Sequence, residues 1–406
     1  MSSVPLIGLR NLARSPGRSG LSLLAITFGV ASLIIAGGFI EWAYWAMRES
    51  AIQTGLGHVQ ISRTGYRQEG AADSSRFLLP PEGGPMAAIA AVEGVKEVAP
   101  RLLFSGLISR GDTTVSFIAE GVDPDAEREL GKQLAVVDGR QLSADVPDEL
   151  VLGKGLAAAL GARIGDKVVL LVKTPGGGIN AKEFRVRGTI TREIRAYDDT
   201  VVRLPLAAAR DLNRIAGSHV WVLRLARTEL SEQVAEQIRQ LPGSAGLEVH
   251  SWRDLSEYYR SAEALFTRQM LMVKAIIASI ITLTMSNALI MCVLERTGEV
   301  GTMMAIGVRR QGVLRLFITE GLLLGLAGGV LGAVAGVALA AVISAVGIPM
   351  PPPPGQTEGY RAKILVTPGL LAGSMLLAAG SAALASAYPS WKASRLKIVD
   401  ALRRNR

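Results

Sequence analysis

SGLSLLAITFGVASLIIAGGFI, residues 19 to 40, contains no charged side chain and is long enough to cross a bilayer, which takes about 20 apolar residues. Three more uncharged stretches follow much later: Ala275 to Leu294, Gly321 to Ile348 and Ile364 to Trp391. Their order decides the fold, because one span, a long polar region and then three spans leave a single large domain inserted after the first. The composition agrees. The chain has 406 residues, 49% hydrophobic and only 19% charged, where soluble domains carry roughly 25% charge. This argues against a soluble enzyme.

The net charge of +9 invites a nucleic-acid reading, but its distribution points to a membrane. The basic excess sits in residues 1–18 (Arg10, Arg14, Arg18), in the connection 295–315 and in the tail from Lys392 to Arg406. Four spans would bring these pieces to one side, and Lys and Arg beside span ends mark the cytoplasmic side. We therefore expect both termini inside, no nucleic-acid partner, and an α-helical membrane protein with four transmembrane helices plus a large extracytoplasmic mixed α/β domain inserted after the first helix. The divisions are a cytoplasmic amphipathic leader (1–18), transmembrane helix 1 (19–47), the periplasmic α/β domain (48–268) and transmembrane helix 2 (269–294). A cytoplasmic coupling segment (295–315), transmembrane helix 3 (316–348), an outer Pro-rich loop (349–363), transmembrane helix 4 (364–391) and the tail (392–406) complete the chain. The first span lacks an A-x-A cleavage signal at its end and reads as an uncleaved anchor. The single cysteine, Cys292, falls in a span, so the inserted domain must hold together by packing alone.

Within that domain, strand patterns occur at His58 to Ser62, Thr114 to Ala119, Val168 to Lys173, Glu183 to Thr189 and Val220 to Leu225. Helical patterns lie between them at Pro85 to Val92, Gly155 to Leu160, Leu206 to Arg214 and Leu230 to Leu241. The alternation predicts two small α/β subdomains joined by hairpins. Trp252 to Phe266 is helical in pattern and is expected to continue directly into span two. Val4 to Arg14 suits a short helix on the inner membrane surface, with Leu6 and Leu9 on one face and Arg10 and Arg14 on another. Gly328, Gly332 and Gly336 in span three, and Gly369 and Gly373 in span four, recur at the spacing that lets helices approach closely in lipid.

No G-x-x-x-x-G-K-[ST] phosphate loop occurs, so ATP and its Mg belong to a partner and this chain is expected to hold no cofactor. Gly153, Gly155 and Ala158 imitate a dinucleotide fingerprint but are better explained by tight strand-to-helix packing. His58, His219 and His250 have no ligand spacing, so no metal site is expected. With no local Ser, His and acid arrangement either, the chain reads as non-catalytic. Glu41 and Lys274 lie near the outer ends of spans, and Glu320 one turn into span three, where an Arg partner or interfacial water can meet it.

The connection ERTGEVGTMMAIGVRRQGVLRLFITEG, residues 295–321, resembles the coupling segment of the FtsX-like permeases, the four-span subunits of the MacB and LolCDE class of ABC transporters. AYPSWKASRLKIVDALR (387–403) is similar to the terminal motif of that family, and RNLARSPGRSGLSLLAI (10–26) to its lead-in to span one. In the inserted domain, GHVQIS (57–62), VLGKGLAAALGARIGDKV (151–168) and LPLAAARDL (204–212) look like the Lol-type branch. The resemblance implies a second permease chain, identical or paralogous, two separate ATPase subunits and a periplasmic acceptor or adaptor, all in a bacterial inner membrane. It implies that Glu295, Arg296, Glu299, Met304 and Gly307 contact the ATPase. It also implies that acyl chains enter between spans one and two of facing chains, by position beside Phe39, Ile40, Ala43, Met47, Leu265, Met270 and Met272. Three activities fit such a chain: extraction or release of a lipoprotein-like or amphipathic cargo, MacB-like efflux, and FtsX-like regulation of a cell-wall hydrolase.

Overall fold

The computed structural model describes residues 16–70, 74–81, 83–130, 135–191, 195–351 and 359–395. The expected leader helix at Val4 to Arg14, the tail beyond residue 395 and Pro352 to Pro354 lie outside them. The chain divides into two compact units, a helical one and an inserted one formed mainly by residues 46–261.

The helical unit contains four helices long and apolar enough to cross a membrane: Pro16–Ala51, Glu257–Glu295, Arg310–Val346 and Pro368–Ser394. The glycines of the third helix serve two faces. Gly328, Gly332 and Gly336 meet Ile26, Val30 and Ile34 of the first helix, and Gly321 and Gly325 meet Ser386 and Ala382 of the fourth. A Cβ on Gly332 would sit 2.6 Å from the Val30 Cβ and 2.8 Å from the Thr27 carbonyl, so only glycine allows this approach. Gly332→Leu is therefore expected to separate the first and third helices; loss of a cooperative thermal transition in detergent checks it, and wild-type melting would refute it. Gly369 and Gly373 behave differently from the sequence expectation: a Cβ on either meets nothing within 4 Å, because their face of the fourth helix turns away from the other three. The second helix begins at Glu257, not at Trp252. Ser251 caps a separate turn, Trp252–Leu255, and Ser256 leaves helical geometry at φ −93° and ψ 85°.

The inserted unit is built on one ten-stranded sheet. Its strands are β1 (Val59–Arg63), β2 (Val95–Arg110), β3 (Thr113–Val122), β4 (Ala135–Gly139), β5 (Glu149–Gly153), β6 (Lys167–Lys173), β7 (Ile179–Thr191), β8 (Val201–Pro205), β9 (Val220–Leu225) and β10 (Leu247–Ser251). They run in the order β10-β1-β9-β2-β3-β8-β5-β7-β4, and β6 bridges β7 back to β2. Two cores form, as the alternation predicts. One gathers Leu102, Phe117, Leu152, Leu170, Phe184 and Leu204 beneath the helices Lys154–Leu160 and Leu206–Asn213. The other packs Ile61, Trp221, Leu223 and Val249 against the helix Ser231–Arg239. The subdomains are not joined by hairpins, however. They share β2, whose first half pairs with β9 and whose second half pairs with β3. Pro100 is tolerated on this long strand because β3 pairing begins only at Arg101, so its missing N–H leaves no ladder bond unmade.

The glycine motif at 153–155 is a packing device. A Cβ on Gly153 would collide with the Asp198 carbonyl, and one on Gly155 with the Asp199 side chain. The histidines are tied into the sheet. His58 Nδ1 accepts from Leu225 N–H at 3.3 Å, and His219 Nδ1 accepts from Leu103 N–H at 3.1 Å while its ring stacks on Tyr66. His250 lies 3.5 Å from Glu248.

Candidate functional site

The connection between the second and third long helices forms a short helix, Thr297–Ala305, closed by a sharp turn. Gly307 adopts φ +98°, its N–H donates to the Met304 carbonyl at 3.2 Å, and Val308 N–H donates to the Met303 carbonyl at 3.0 Å. This pair of bonds is the Schellman ending, which needs a left-handed residue and so selects glycine. On the helix, Met303 and Met304 pack against Val300, Val313 and Phe317, and the turn leaves Ile306 at the tip, 77% exposed, beside exposed Val308, Arg309 and Arg310.

The polar residues of the segment divide similarly. Arg296 pairs with Glu299 at 2.9 Å and with Glu320 at 3.4 Å, so the carboxylate inside the third helix has the Arg partner that sequence reasoning allowed. Glu320 is 3% exposed, which makes Arg296 a brace between the second and third helices as much as a surface residue. Glu295 and Glu299 remain exposed. Of the five residues singled out in the sequence, Glu295, Glu299 and Gly307 are thus exposed, while Arg296 and Met304 are half-buried beneath them. Ile306, which was not among the five, is exposed with them.

At the opposite ends of the first two long helices, Tyr44 joins them: its hydroxyl donates to the Glu263 carbonyl at 3.2 Å and its ring lies 6.1 Å from Phe266. The residues expected to meet cargo differ in exposure. Phe39, Ile40, Ala43 and Met47 are half-buried on the first helix, as is Met270 on the second, whereas Leu265 and Met272 are 55% and 68% exposed. With Ile276, Ile280 and Leu283 they extend as an exposed apolar stripe down the second helix.

In the inserted unit a buried charge network links β2, β3, β8 and the helix Pro124–Leu130. Arg101 bonds Glu127 at 2.5 Å, and Arg203 bonds Glu127 at 2.7 Å and Glu120 at 3.0 Å. All four residues are less than one-tenth exposed. Arg101 also donates to the Gly55 carbonyl at 2.5 Å, in the irregular turn Ile52–Leu56 that follows the first long helix. Burial alone would raise the Glu127 carboxyl, but Arg101 and Arg203 outweigh it and hold its pKa below the usual carboxylate range. Arg203 is pushed the other way by Glu127 and Glu120, against its own burial.

A family model described as the MacB-like periplasmic core domain matches residues 19–241, more than half of the chain, and one described as the FtsX-like permease C-terminal region matches residues 271–398. The chain belongs to the FtsX-like permeases with a MacB-like periplasmic core. Among the relatives of this permease, the lipoprotein-releasing system transmembrane protein LolC of Neisseria meningitidis is 24% identical over 82% of this chain and 81% of its own length. A macrolide export ATP-binding/permease protein MacB of Bdellovibrio bacteriovorus is 25% identical over 98% of this chain and 61% of its own length, and the MacB of Chromobacterium violaceum is 25% identical over 78% and 49%. The chain thus spans about half to three fifths of these MacB relatives. The solved periplasmic region of MacB from Actinobacillus actinomycetemcomitans covers 51% of the permease chain at 13% identity and a TM-score of 0.38. The permease is a membrane protein of the ABC transporter class, and the inserted unit is its MacB-like domain.

Proposed function

We propose that this permease works in the inner membrane beside a second permease chain, with four spanning helices and both termini in the cytoplasm, and that it couples ATP hydrolysis on a partner ATPase to the extraction or release of a lipoprotein-like or amphipathic cargo at the periplasmic face. The observation that carries this reading is the pairing of an exposed apolar tip, Ile306 on its Arg296-braced platform, with an exposed apolar stripe on the second helix that begins near its far end. The tip suits docking of the ATPase on one side of the membrane and the stripe suits acyl chains on the other. The near full-length match to a protein named as lipoprotein-releasing supports the cargo class. The MacB-like core over residues 19–241 supports a second reading, in which the same ATP-driven motion drives efflux through a periplasmic adaptor.

Capture of cargo separates the two. A photocrosslinker at Met272, exposed on the second helix, is expected to trap diacylated lipoprotein in the wild-type complex. Ala43→Arg places a charge on the first helix at the expected entry, where each methylene of an acyl chain otherwise gains about 0.8 kcal/mol on burial, and is expected to abolish capture while the ATPase still co-purifies. Equal capture in both proteins, or capture only from the MacB-like domain, would transfer preference to efflux.

A further inference from the structure

The shared strand β2 carries an interrupted edge. β9 pairs along it as far as Arg101↔Val220, and β6 joins the same edge at Leu107↔Leu171. Between these ladders, Leu102 to Gly106 have β3 on one side and, among the described strands, none on the other. Parity settles which residues present their backbone there. His219 N–H donates to the Arg101 carbonyl at 2.9 Å, and Leu103 N–H donates to His219 Nδ1, so the odd-numbered residues of β2 direct their N–H and C=O groups to this edge. The Leu103 carbonyl and both backbone groups of Ser105 consequently face the gap.

The gap opens on a cavity of about 1060 Å³ whose wall includes Leu103, Phe104 and Ser105. This is the upper end of the range for ligand sites, roughly 300–1,000 Å³. Arg67 and Lys173 contribute the charged part of the wall, and no described residue lining the cavity is acidic. Phe104 and Ile215 supply apolar surface on the core face of the sheet, and Ile118 on β3, 55% exposed, lies on the other face. An unpaired strand edge favours extended backbone, an acid-free basic wall favours a carboxylate, and the apolar patch favours an alternating side chain.

We propose that this gap is a strand-addition site. An extended peptide segment of a partner, bearing a carboxylate and an alternating apolar residue, pairs with β2 at Leu103 and Ser105, meets the basic wall of Arg67 and Lys173, and lays its apolar side chain against Phe104. The site does not depend on whether lipoprotein release or efflux is the activity, since its ligand is a polypeptide outside the membrane and not the cargo.

The test selects a pool of phage-displayed short peptides on the full chain in lipid nanodiscs. Enriched sequences are expected to alternate apolar and polar residues and to contain Asp or Glu. A synthetic copy should lose binding when the backbone amides on its pairing side are N-methylated and keep it when the opposite set is methylated. The double variant Arg67→Glu, Lys173→Glu should bind it at least ~10-fold more weakly, a change of about 1.4 kcal/mol. Ser105→Pro removes the central N–H and should abolish binding; unchanged Trp221 emission would show that the domain still folds. The proposal is overturned if no peptide is enriched over empty nanodiscs, if methylation of the pairing-side amides is tolerated, or if the doubly charge-reversed protein binds at wild-type affinity.

Discussion

Ile306→Asp is expected to remove the ATPase from the permease while leaving the permease itself folded. The side chain stands at the tip of the Schellman turn, 77% exposed, and touches little of its own chain, so its replacement costs the free permease almost nothing. In the docked state the same aspartate would carry a charge into an apolar socket, which costs several kcal/mol; about 3 kcal/mol already weakens association more than 100-fold. Met304→Asp should look different, because Met304 packs inward against Val300 and Phe317: the variant should melt earlier and lose its partner only as a consequence. The measurement is co-purification of the ATPase together with the melting temperature of each variant. Full retention of the ATPase by Ile306→Asp would remove this residue from the interface.

Glu127→Ala is expected to destabilise the MacB-like domain severely. It deletes the carboxylate that Arg101 and Arg203 share and leaves two buried guanidinium groups, of which Arg101 keeps the Gly55 carbonyl and Arg203 keeps Glu120. Breaking such a buried pair typically costs about 3–5 kcal/mol, a large part of a domain stability of roughly 5–15 kcal/mol. At this domain size that corresponds to a fall in melting temperature of about 10 °C, readable from the buried Trp221. The pH dependence has a defined sign. A carboxyl whose folded pKa is depressed contributes stability above its unfolded value and loses it as pH falls through the folded one. The wild-type domain should therefore lose stability in acid below about pH 4, and Glu127→Ala should show a flatter profile there. A melting temperature within about 2 °C of wild type would show that the network contributes little.

The four long helices and the inserted domain were legible because each span must satisfy its backbone internally and present apolar side chains throughout, which leaves a local signature in a single stretch of sequence. Strand patterns were equally local, in alternation such as Phe184 and Val186 against Arg185 and Arg187 and in short apolar runs such as Val220–Leu225. Gly328, Gly332 and Gly336 could be recognised as packing positions by their spacing, yet Gly369 and Gly373 have the same spacing and meet nothing, since spacing defines a face but not the neighbour that covers it. The break at Ser256 escaped because the apolar pattern runs through it, and only the cap of the preceding turn redirects the chain.

What the tertiary structure alone decided are the features assembled from distant residues. Arg101, Glu120, Glu127 and Arg203 lie on four separate elements, and nothing local to any of them predicts that a buried charge will find its counter-charge there. The passage of β2 from one ladder to another, with its open edge at Leu103 and Ser105, depends on where β9 ends and β6 begins, which is a matter of register and not of composition. At the coupling connection the sequence supplied the amphipathic pattern and the glycine. The packing of the helix Thr297–Ala305 then decided which side is covered: residues two apart on a helix point about 200° apart, so Met304 faces the core and Ile306 faces out, and the left-handed turn at Gly307 ends the helix there.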